Sequence, residues 1–348
     1  MVTSVNTNKR LTVFDVVKGL GIILVVFAHV NYTNAPLTYI YSFHMPLFFI
    51  ISGIFFDKKK YTFLQFVKNR FFRLICPYLF FYVLILLFKT AIALISNGFS
   101  AIAFDSVKEP FIQMFIAQGS AKVVSAPLWF IPCLFVVEVL YYFISKLKPY
   151  FNVPICIALA VGGWLLETRF RGVAAYLPWS IDSALFSIGF YALGNLTADY
   201  LKRGIKKLQE HKYKILISSA LALLCFLVLI PLAFLNGKIS LGSKILNNGF
   251  LLYATGIIGT AGIILLSIAL EKAKFLSYLG KNSFCIMAVH YTIRSFLMKF
   301  IVFIGFTGYD TTNFLHTVIP FFITLGLSVV AVIVYNYFKS LLFNRKKD

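Results

Sequence analysis

Long apolar stretches, separated by short polar segments, run along nearly the whole chain. Each is roughly 20 residues long, the length that an α-helix needs to cross the hydrocarbon core of a bilayer. Lipid leaves no water to satisfy open backbone groups, so spans of this kind are helices. The predicted spans are 12–31, 37–56, 72–95, 127–146, 151–168, 178–200, 215–235, 248–270, 284–304 and 317–341. The pattern predicts an all-α, polytopic membrane helix bundle of about ten transmembrane helices.

The composition fits a single membrane domain. Hydrophobic residues make up 60% of the 348 positions and charged residues only 13%, whereas soluble domains are about half apolar and a quarter charged. No polar segment is long enough for a separate soluble domain, so we expect one transmembrane domain over 1–348, with its core at about 9–342. The first apolar run resembles a signal peptide, but it contains polar residues and lacks an Ala-x-Ala exit, which favours a retained span.

The formal net charge of +21 is concentrated in short clusters between the spans. With the N-terminus in the cytoplasm, the inner segments contain 22 basic residues and the outer segments 6. Cytoplasmic loops are enriched in Lys and Arg, so this excess predicts that both termini are cytoplasmic. The clusters suit anionic lipids and anionic cytosolic ligands. Because no nucleic-acid-binding motif accompanies them, they do not indicate binding to DNA or RNA.

Three ionisable residues interrupt the first span: Asp15, Lys18 and His29. At the spacing of an α-helix they fall on one stripe, with His29 about 16 Å above Lys18 along the axis. Charged groups inside a span are costly and usually face a polar cavity, which favours a functional stripe. The alternative is a local ion pair between Asp15 and Lys18 at the inner interface, with His29 as a satisfied polar residue at the outer rim.

The second span brings another histidine toward the outer end of the first. This span runs inward, so His44 lies in the outer half of the membrane. Pro46 lacks an amide hydrogen, so we expect it to free the carbonyl near Ser42 and to bend the helix beside His44. Ser52-Gly53 forms a notch where a thin ligand or another helix can come close, and ordinary helix packing explains such a step as well.

Arg70 and Arg73 are three residues apart at the cytoplasmic entrance of the third span, where we expect them to share one helix face. Paired guanidinium groups suit phosphate recognition. Juxtamembrane arginines also serve as positive-inside anchors. The spacing leaves both interpretations open.

The outer side offers candidates for binding an acceptor. Trp129, at the outer end of the fourth span, suits sugar stacking or belongs to an aromatic belt. Glu167, Arg169 and Arg171 form the main outer cluster of charged residues. In the longest outer loop, the apolar stretch Phe111–Ala117 either lies at the interface or dips back into the protein.

Three further ionisable residues lie at membrane depth. Glu138, inside the fourth span, needs a partner. His290 and Arg294 are four apart on the ninth span, and their roles stay open. The five cysteines fall in or beside apolar runs at wide spacings, so they predict neither a metal site nor a disulfide framework.

Several motifs taken together resemble a known family. They are Lys18-x10-His29, preceded by Arg10 and Asp15; Phe43-His44-Met45-Pro46-Leu47-Phe48-Phe49 with Ser52-Gly53; Arg70-x-x-Arg73 with Pro77; Leu128-Trp129-Phe130; and Leu279-Gly280-Lys281-Asn282-Ser283 with His290. In this order, from about residue 9 to 340, they resemble the acyltransferase-3 family of membrane O-acyltransferases. Within that family the chain is similar to bacterial sugar and exopolysaccharide O-acetylases, including fucose O-acetylase-like members. The first three motifs together are specific, whereas the last two alone are weak.

The resemblance implies transfer of an acyl group, usually acetyl, from cytosolic acyl-coenzyme A to a hydroxyl of an extracytoplasmic acceptor such as a surface glycan or glycolipid. It implies that His29 is essential and that Arg70 and Arg73 help to bind the donor. It also implies a multi-pass protein of the bacterial plasma membrane, acting with polysaccharide biosynthesis proteins or as a homo-oligomer.

Two departures from the family pattern matter. O-antigen acetylases of the family often have Trp-x-Leu-x-x-Glu, whereas Trp129-x-Ile131-x-x-Leu134 lacks the acid and Glu138 lies one turn further along. Some members have a C-terminal esterase-like domain, but this chain stops at Asp348, just after its last span. We therefore expect the membrane domain itself, or a separate partner protein, to complete the transfer.

These residues and the resemblance lead to one hypothesis for the site. The phosphates of acetyl-coenzyme A bind at the inner arginines, and its slim arm threads past Gly19, Gly21 and the Ser52-Gly53 notch. The thioester then reaches His29, which acts as general base on a sugar hydroxyl or forms an acyl-imidazole first, while the second histidine orients it or stabilises the oxyanion. The assigned residues are His29, His44, Lys18 and Asp15 for catalysis; Arg70, Arg73, Arg10, Ser52 and Gly53 for donor binding; and Trp129, Glu167, Arg169 and Arg171 for acceptor binding. No metal is expected.

A polysaccharide or lipid-precursor transporter or flippase is the alternative from another class, because it also places charged residues and broken helices at mid-membrane. It predicts an internal repeat between the chain halves, and the motif-bearing segment 10–77 has no counterpart downstream. A structural subunit of a polysaccharide-secretion complex is a third alternative, which would not need histidines and an arginine pair at fixed positions. The acyltransferase is therefore favoured.

Overall fold

The computed structural model describes residues 12–30, 33–97, 104–118, 124–174, 177–303 and 314–344. Within these ranges the chain forms α-helices, with no β-strand beyond one isolated bridge between Ser240 and Ile245. The helices are α1 Thr12–Val30, α2 Asn34–Tyr41, α3 His44–Ile54, α4 Phe63–Arg70, α5 Cys76–Asn97, α6 Phe104–Ile116, α7 Phe130–Ile144, α8 Pro149–Thr168, α9 Arg171–Ala174, α10 Ile181–Glu210, α11 Lys214–Asn236, α12 Gly249–Ala269, α13 Lys274–Lys281, α14 Ser283–Phe303 and α15 Phe314–Asn344. A π-helical turn lies at Phe71–Ile75, and 3₁₀ turns lie at Ala126–Trp129 and Pro178–Ser180. The predicted all-α architecture is confirmed.

The polytopic architecture is also confirmed. Within the described residues, nine helical stretches are long and apolar enough to cross a membrane. They are Thr12–Val30, Asn34–Ile54, Phe63–Ile95, Ala126–Ile144, Tyr150–Thr168, Lys214–Asn236, Gly249–Ala269, Ser283–Ile301 and His316–Leu341. Each corresponds to a predicted span. The remaining predicted span, 178–200, corresponds to α10, which contains more polar residues, among them Asp182 and Asn195.

The contacts at its two ends show that α10 nevertheless runs from one face of the bundle to the other. Near its start, Oδ2 of Asp182 lies 2.6 Å from Nζ of Lys244, in the loop between α11 and α12. Near its end, Gln209 donates a hydrogen bond of 2.5 Å to Glu271, just after α12. These two partners mark opposite ends of α12. α10 therefore extends alongside α12 from one end to the other, although it is not among the nine stretches of the described residues that are long and apolar enough to cross a membrane.

α1 lies at the centre of the bundle and contacts α2, α3, α12, α13, α14 and α15. It approaches α13 so closely that a Cβ atom on Gly19 would overlap the Leu276 carbonyl, and one on Gly280 would overlap the Asp15 carbonyl. Small residues allow helices in lipid to approach at this distance. The predicted passage of a ligand past Gly19 is therefore filled by α13, and Gly21 packs against side chains of α3.

α6 dips back into the protein, which is one of the two arrangements expected for the apolar part of the long outer loop. Tyr78 donates a hydrogen bond of 3.0 Å to the Met114 carbonyl, and Tyr82 donates one of 2.8 Å to the Pro110 carbonyl. Because later residues of α5 meet earlier residues of α6, the two helices run antiparallel. The deep end of α6 is fastened to the segment before α10, where the indole of Trp179 donates a hydrogen bond of 2.6 Å to a backbone carbonyl of α6.

Candidate active site

A cavity of about 460 Å³ lies between α1, α3, α7 and α14. Its lining includes Lys18, Ile22, Val25 and His29 of α1; Tyr41, His44 and Ser52 of α2 and α3; Trp129 before α7; Ser240, Leu241, Gly242 and Ser243 before α12; and Ser283 and Tyr291 of α14. In the predicted orientation, Lys18, Ser52 and Ser283 lie at the inner end. From Lys18 to His29 the cavity follows α1 for about 16 Å. A largely apolar cleft with a few converging polar groups is the usual form of a small-molecule site.

The stripe predicted on the first span faces this cavity. Lys18, Ile22, Val25 and His29 recur at intervals of three or four residues and all line it. Asp15 is buried below them, with its carboxylate 3.1 Å from Nζ of Lys18. Both interpretations of the stripe are therefore present in one helix, because the local ion pair forms and the cationic and imidazole groups also face a cavity.

The second span is broken, rather than only bent, beside the cavity. α3 begins at His44, and Phe43 before it has backbone angles φ −143° and ψ −18°. Pro46 offers no amide to the Ser42 carbonyl, and the Thr255 hydroxyl of α12, which also lies 2.9 Å from the Leu251 carbonyl, is within hydrogen-bond distance of it at 3.1 Å. The freed carbonyl predicted from the proline is thus satisfied by another helix, and His44 is placed at the start of α3 with its ring on the cavity.

Two buried histidines have the positions of their ring protons fixed by the backbone. Nδ1 of His44 donates to the Ile40 carbonyl over 2.9 Å, and Nδ1 of His290 donates to the Ile286 carbonyl over 3.0 Å. A carbonyl oxygen only accepts, so in each neutral ring Nδ1 holds the proton and Nε2 is left as an acceptor. His44 lines the cavity, so its Nε2 is available to a hydroxyl there.

His29 lies within a group of aromatic rings at the outer end of the cavity. Its centroid is 5.2 Å from that of His290, 5.4 Å from that of Tyr291 and 6.5 Å from that of Tyr41. Tyr41 in turn lies 4.8 Å from the His44 ring. Within the described ranges no backbone carbonyl fixes the His29 ring. This histidine cluster can therefore accept, hold and return a proton next to the cavity.

The sequence assigns no role to His290 and does not predict two parts of the outer cavity. Tyr291 lines it, as do residues 240–243 of the hairpin turn that Ser240 and Ile245 close. Tyr291 follows His290 directly, but with 19 tyrosines in the chain its type alone singles out nothing. The turn consists of small residues and a leucine, which are typical of any connection between spans.

Trp129 lines the outer cavity and packs against this turn. A Cβ atom on Gly242 would overlap its indole ring. Backbone hydrogen bonds of 2.8 and 2.9 Å between Ser240 and Ile245 close the hairpin. Lys244, in the turn, bonds through Nζ to the Ala174 carbonyl at 2.5 Å. The hairpin is thus held from both sides at the outer mouth.

Glu167, predicted to bind the acceptor, is fully buried behind the hairpin instead. The Ser183 hydroxyl donates a hydrogen bond of 2.8 Å to its carboxylate, and the same oxygen lies 3.2 Å from the Leu241 carbonyl. Arg171 bonds the backbone carbonyl of Glu167 at 3.1 Å and, like Arg169, is exposed. None of these three charged residues belongs to the lining of the described cavity. Glu167 supports the hairpin rather than facing the cavity.

The two arginines at the inner end lie in different helical segments. Arg70 is the last residue of α4, and Arg73 lies within the π-helical turn Phe71–Ile75 that follows it. Nε of Arg70 lies 3.1 Å from Oε2 of Glu138, so the acid has the partner it needs. The guanidinium also lies over the Phe66 ring, 5.3 Å from its centroid. Arg73 is exposed. The two arginines therefore differ in their surroundings, although their separation by three residues predicts a common helix face.

The two residues of the Ser52-Gly53 notch have different surroundings. Ser52 lines the cavity, whereas a Cβ atom on Gly53 would overlap the Tyr191 carbonyl of α10, which makes Gly53 a helix-packing residue. Arg10 lies outside the described residues. Within the described ranges, no group of three or more His, Cys, Asp or Glu side chains is arranged to hold a metal ion.

Comparison with known proteins shows the family to which the chain belongs. The acyltransferase-3 family model, described as an acyltransferase domain, matches residues 11–333. The chain is also similar to nodulation protein NolL of Sinorhizobium fredii (strain NBRC 101917 / NGR234), at 28% identity over 241 residues. That match covers 64% of this chain and 59% of the relative, so it spans less than two thirds of the relative's length. Since the family model covers nearly the whole chain, the protein belongs to the acyltransferase-3 family, and its long apolar helices are those of a multi-pass membrane protein.

Proposed function

We propose that the protein moves an acetyl group from cytosolic acetyl-coenzyme A to a hydroxyl of an extracytoplasmic sugar, with His29 as general base or acyl carrier. The observation that supports this best is the cavity, which connects Lys18 at its inner end with the histidine cluster at its outer end. A thioester delivered from one side and a hydroxyl delivered from the other would meet there.

The inner end suits an anionic donor. The phosphates of coenzyme A favour guanidinium groups, which bind them through paired hydrogen bonds. Arg73 is exposed, and Lys18 keeps 27% of its side-chain surface accessible although it pairs with Asp15. In the proposal Arg73 binds a phosphate and Lys18 adds positive charge at the entrance. The slim arm of the donor then passes Ser52 and follows Ile22 and Val25 of α1 toward His29.

The histidine cluster suits acyl transfer by either of two routes. In the direct route His29 takes the proton of the hydroxyl while the oxygen attacks the thioester carbon. The carbon–sulfur bond then breaks and the proton returns to the sulfur, so a hydroxyl and a thioester become an ester and a thiol. In the two-step route a nitrogen of His29 attacks the thioester carbon, the carbon–sulfur bond breaks and the ring proton passes to the sulfur. The hydroxyl then attacks the acyl-imidazole, the carbon–nitrogen bond breaks and the hydroxyl proton returns to the ring.

The fixed ring proton of His44 refines its proposed role. In the neutral ring Nε2 is an acceptor, so His44 suits orientation of the attacking hydroxyl better than stabilisation of an oxyanion. Tyr41 and Tyr291 line the same end of the cavity, and their hydroxyls can donate. They are the better candidates for stabilising negative charge on the thioester oxygen.

The outer end suits a sugar as acceptor. Trp129 supplies a flat apolar ring, and Ser240 and Ser243 of the adjoining hairpin add polar residues to the lining. Sugars present both apolar faces and hydroxyl edges, so a site with one aromatic ring and several polar groups matches them.

The test uses radiolabelled acetyl-coenzyme A and sealed vesicles from native membranes that retain their own glycans. We expect labelled glycan when the donor meets the cytoplasmic face, in inverted vesicles, and little label in right-side-out vesicles. His29→Ala should lower transfer at least about 100-fold, since general bases contribute that much or more. Its amount in the membrane and its thermal unfolding should match the wild type.

His211→Ala serves as the control, because His211 is exposed between α10 and α11. Its transfer rate should equal that of the wild type. Transfer by His29→Ala at the wild-type rate, or labelling only in right-side-out vesicles, would contradict the proposal.

A further inference from the structure

We infer that His290 is a positioning residue for His29: its Nε2 accepts a hydrogen bond from the His29 ring and steadies the imidazolium that forms during transfer. This inference rests on the proposed function. It gives a role to a buried histidine that does not line the cavity.

The two rings are adjacent, and only one of them faces the ligand. Their centroids are 5.2 Å apart and their planes are tilted by 42°. His29 lines the cavity, whereas His290 is fully buried behind it. A centroid distance of 5.2 Å is short enough for a hydrogen bond between two ring nitrogens that point at each other.

The available atom on His290 is an acceptor. Nδ1 donates to the Ile286 carbonyl, which leaves Nε2 of the neutral ring without a proton. Nε2 has no hydrogen-bond partner among the described residues and no access to solvent. A buried acceptor without a donor is costly, so its presence in a native structure calls for an explanation. An N–H donor on the far side of the His29 ring supplies one.

His44 shows why the arrangement is not simply a feature of any histidine in this bundle. It has the same Nδ1 bond to a carbonyl one turn back, but it lines the cavity. In the proposal one fixed acceptor serves the hydroxyl to be acylated, and the other lies behind the base. A base oriented by a third group on its far side is the recurring arrangement in acyl transfer.

The transfer step then uses both nitrogens of His29. The nitrogen on the cavity side takes the proton of the acceptor hydroxyl as the oxygen–carbon bond forms. The nitrogen on the far side keeps its own proton and donates it in a hydrogen bond to Nε2 of His290. When the carbon–sulfur bond breaks, the first proton passes to the sulfur, so His290 neither gains nor loses a proton.

Two substitutions separate positioning from a structural role. His290→Leu removes the acceptor, and we expect kcat to fall about 100-fold, the cost of a misplaced catalytic group, with an unchanged KM for acetyl-coenzyme A. His290→Gln keeps an acceptor at similar reach and should recover most of kcat. Thr292→Val, at another buried polar position on α14, is the matched control and should leave both constants unchanged.

The outcomes are distinguishable. Wild-type kcat in His290→Leu, or equal losses in the Leu and Gln variants at unchanged thermal stability, would overturn the inference while the loss of transfer in His29→Ala still supports the proposed function. If His290→Leu fails to reach the membrane, His290→Asn replaces it, because its shorter amide stays polar but falls short of His29. A wild-type protein that transfers no acetyl group would overturn the proposed function, and the inference with it.

Discussion

Arg70 and Glu138 join two helices through charges that have little access to water. The carboxylate side chain is 3% exposed and the arginine side chain 20%. Removing water from both charges consumes much of their attraction, so such a pair adds little net stability. Breaking it is costly, however, because the remaining charge stays buried without a partner.

This asymmetry predicts the effect of substitutions at single residues. Glu138→Leu should lower the free energy of unfolding by about 3–5 kcal/mol, because Arg70 is left unpaired. The double variant Arg70→Met with Glu138→Leu should recover most of that loss. Denaturant-induced unfolding in detergent measures both.

The control is the pair between Lys206 and Glu210, whose side chains are 66% and 68% exposed. An exposed pair contributes at most about 1 kcal/mol, so Lys206→Ala should change stability little. If Glu138→Leu were as stable as the wild type, or if the double variant were less stable than the single one, the pair would not have this role.

At the scale of elements, the contact between α1 and α13 is made by glycines. Gly280→Ala would push the α13 backbone away from Asp15. We expect a destabilisation of about 1–3 kcal/mol, the usual cost of overpacking, together with reduced transfer, since the stripe that lines the cavity lies on α1.

Gly162→Ala in α8 is the matched control, because an added Cβ there has open space around it. In a helix, alanine is favoured over glycine by up to about 1 kcal/mol. Stability should therefore stay level or rise slightly. Thermal unfolding and transfer assays on both variants check the prediction, and equal effects at the two positions would contradict it.

The sequence predicts these elements because lipid imposes their length and forces them to be helical. It predicts the disruption at Pro46 as well, since a missing amide is a local property. It does not reveal that Thr255 satisfies the freed carbonyl, or that Arg70 meets Glu138, because those partners are distant in the chain and come together only in the folded bundle.

The candidate site is likewise predicted only where its residues are close together in the chain. Spacing along the helix places Lys18 and His29 on one stripe, and both line the cavity. The basic residues of the loops predict on which side of the membrane a residue lies. They do not predict whether the side chain of a loop residue points into the cavity. Glu167 accordingly lies at the expected outer end and yet supports the hairpin instead of facing the cavity.

At the scale of the whole molecule, Glu271 ties three helices together at the predicted cytoplasmic face. It accepts hydrogen bonds of 2.5 Å from Gln209 of α10 and from Lys214 of α11. Burial raises the pKa of Glu271, but the hydrogen bonds and the charge of Lys214 lower it more, so its pKa lies below the ordinary value of 4.5.

A carboxyl group whose pKa is lowered by folding stabilises the folded state above its unfolded pKa, and that contribution is lost as the pH falls through the folded pKa. The wild type should therefore lose stability relative to Glu271→Gln as the pH falls below about 4.5, because the amide variant has no proton to gain there. Thermal unfolding in detergent across this pH range measures the difference. Parallel curves for the two proteins would contradict the prediction.

The ion pair within α1 also bears on how the chain enters the membrane. α1 is synthesised well before its neighbours α12 to α15, which begin more than 200 residues later. At about 5–20 residues per second, α1 spends about ten seconds or more in the bilayer before they are made. An isolated charge at the centre of a span costs about 2.5–3.5 kcal/mol. Because Asp15 and Lys18 lie one turn apart on the same helix, each has its counter-charge during that interval without help from any other span.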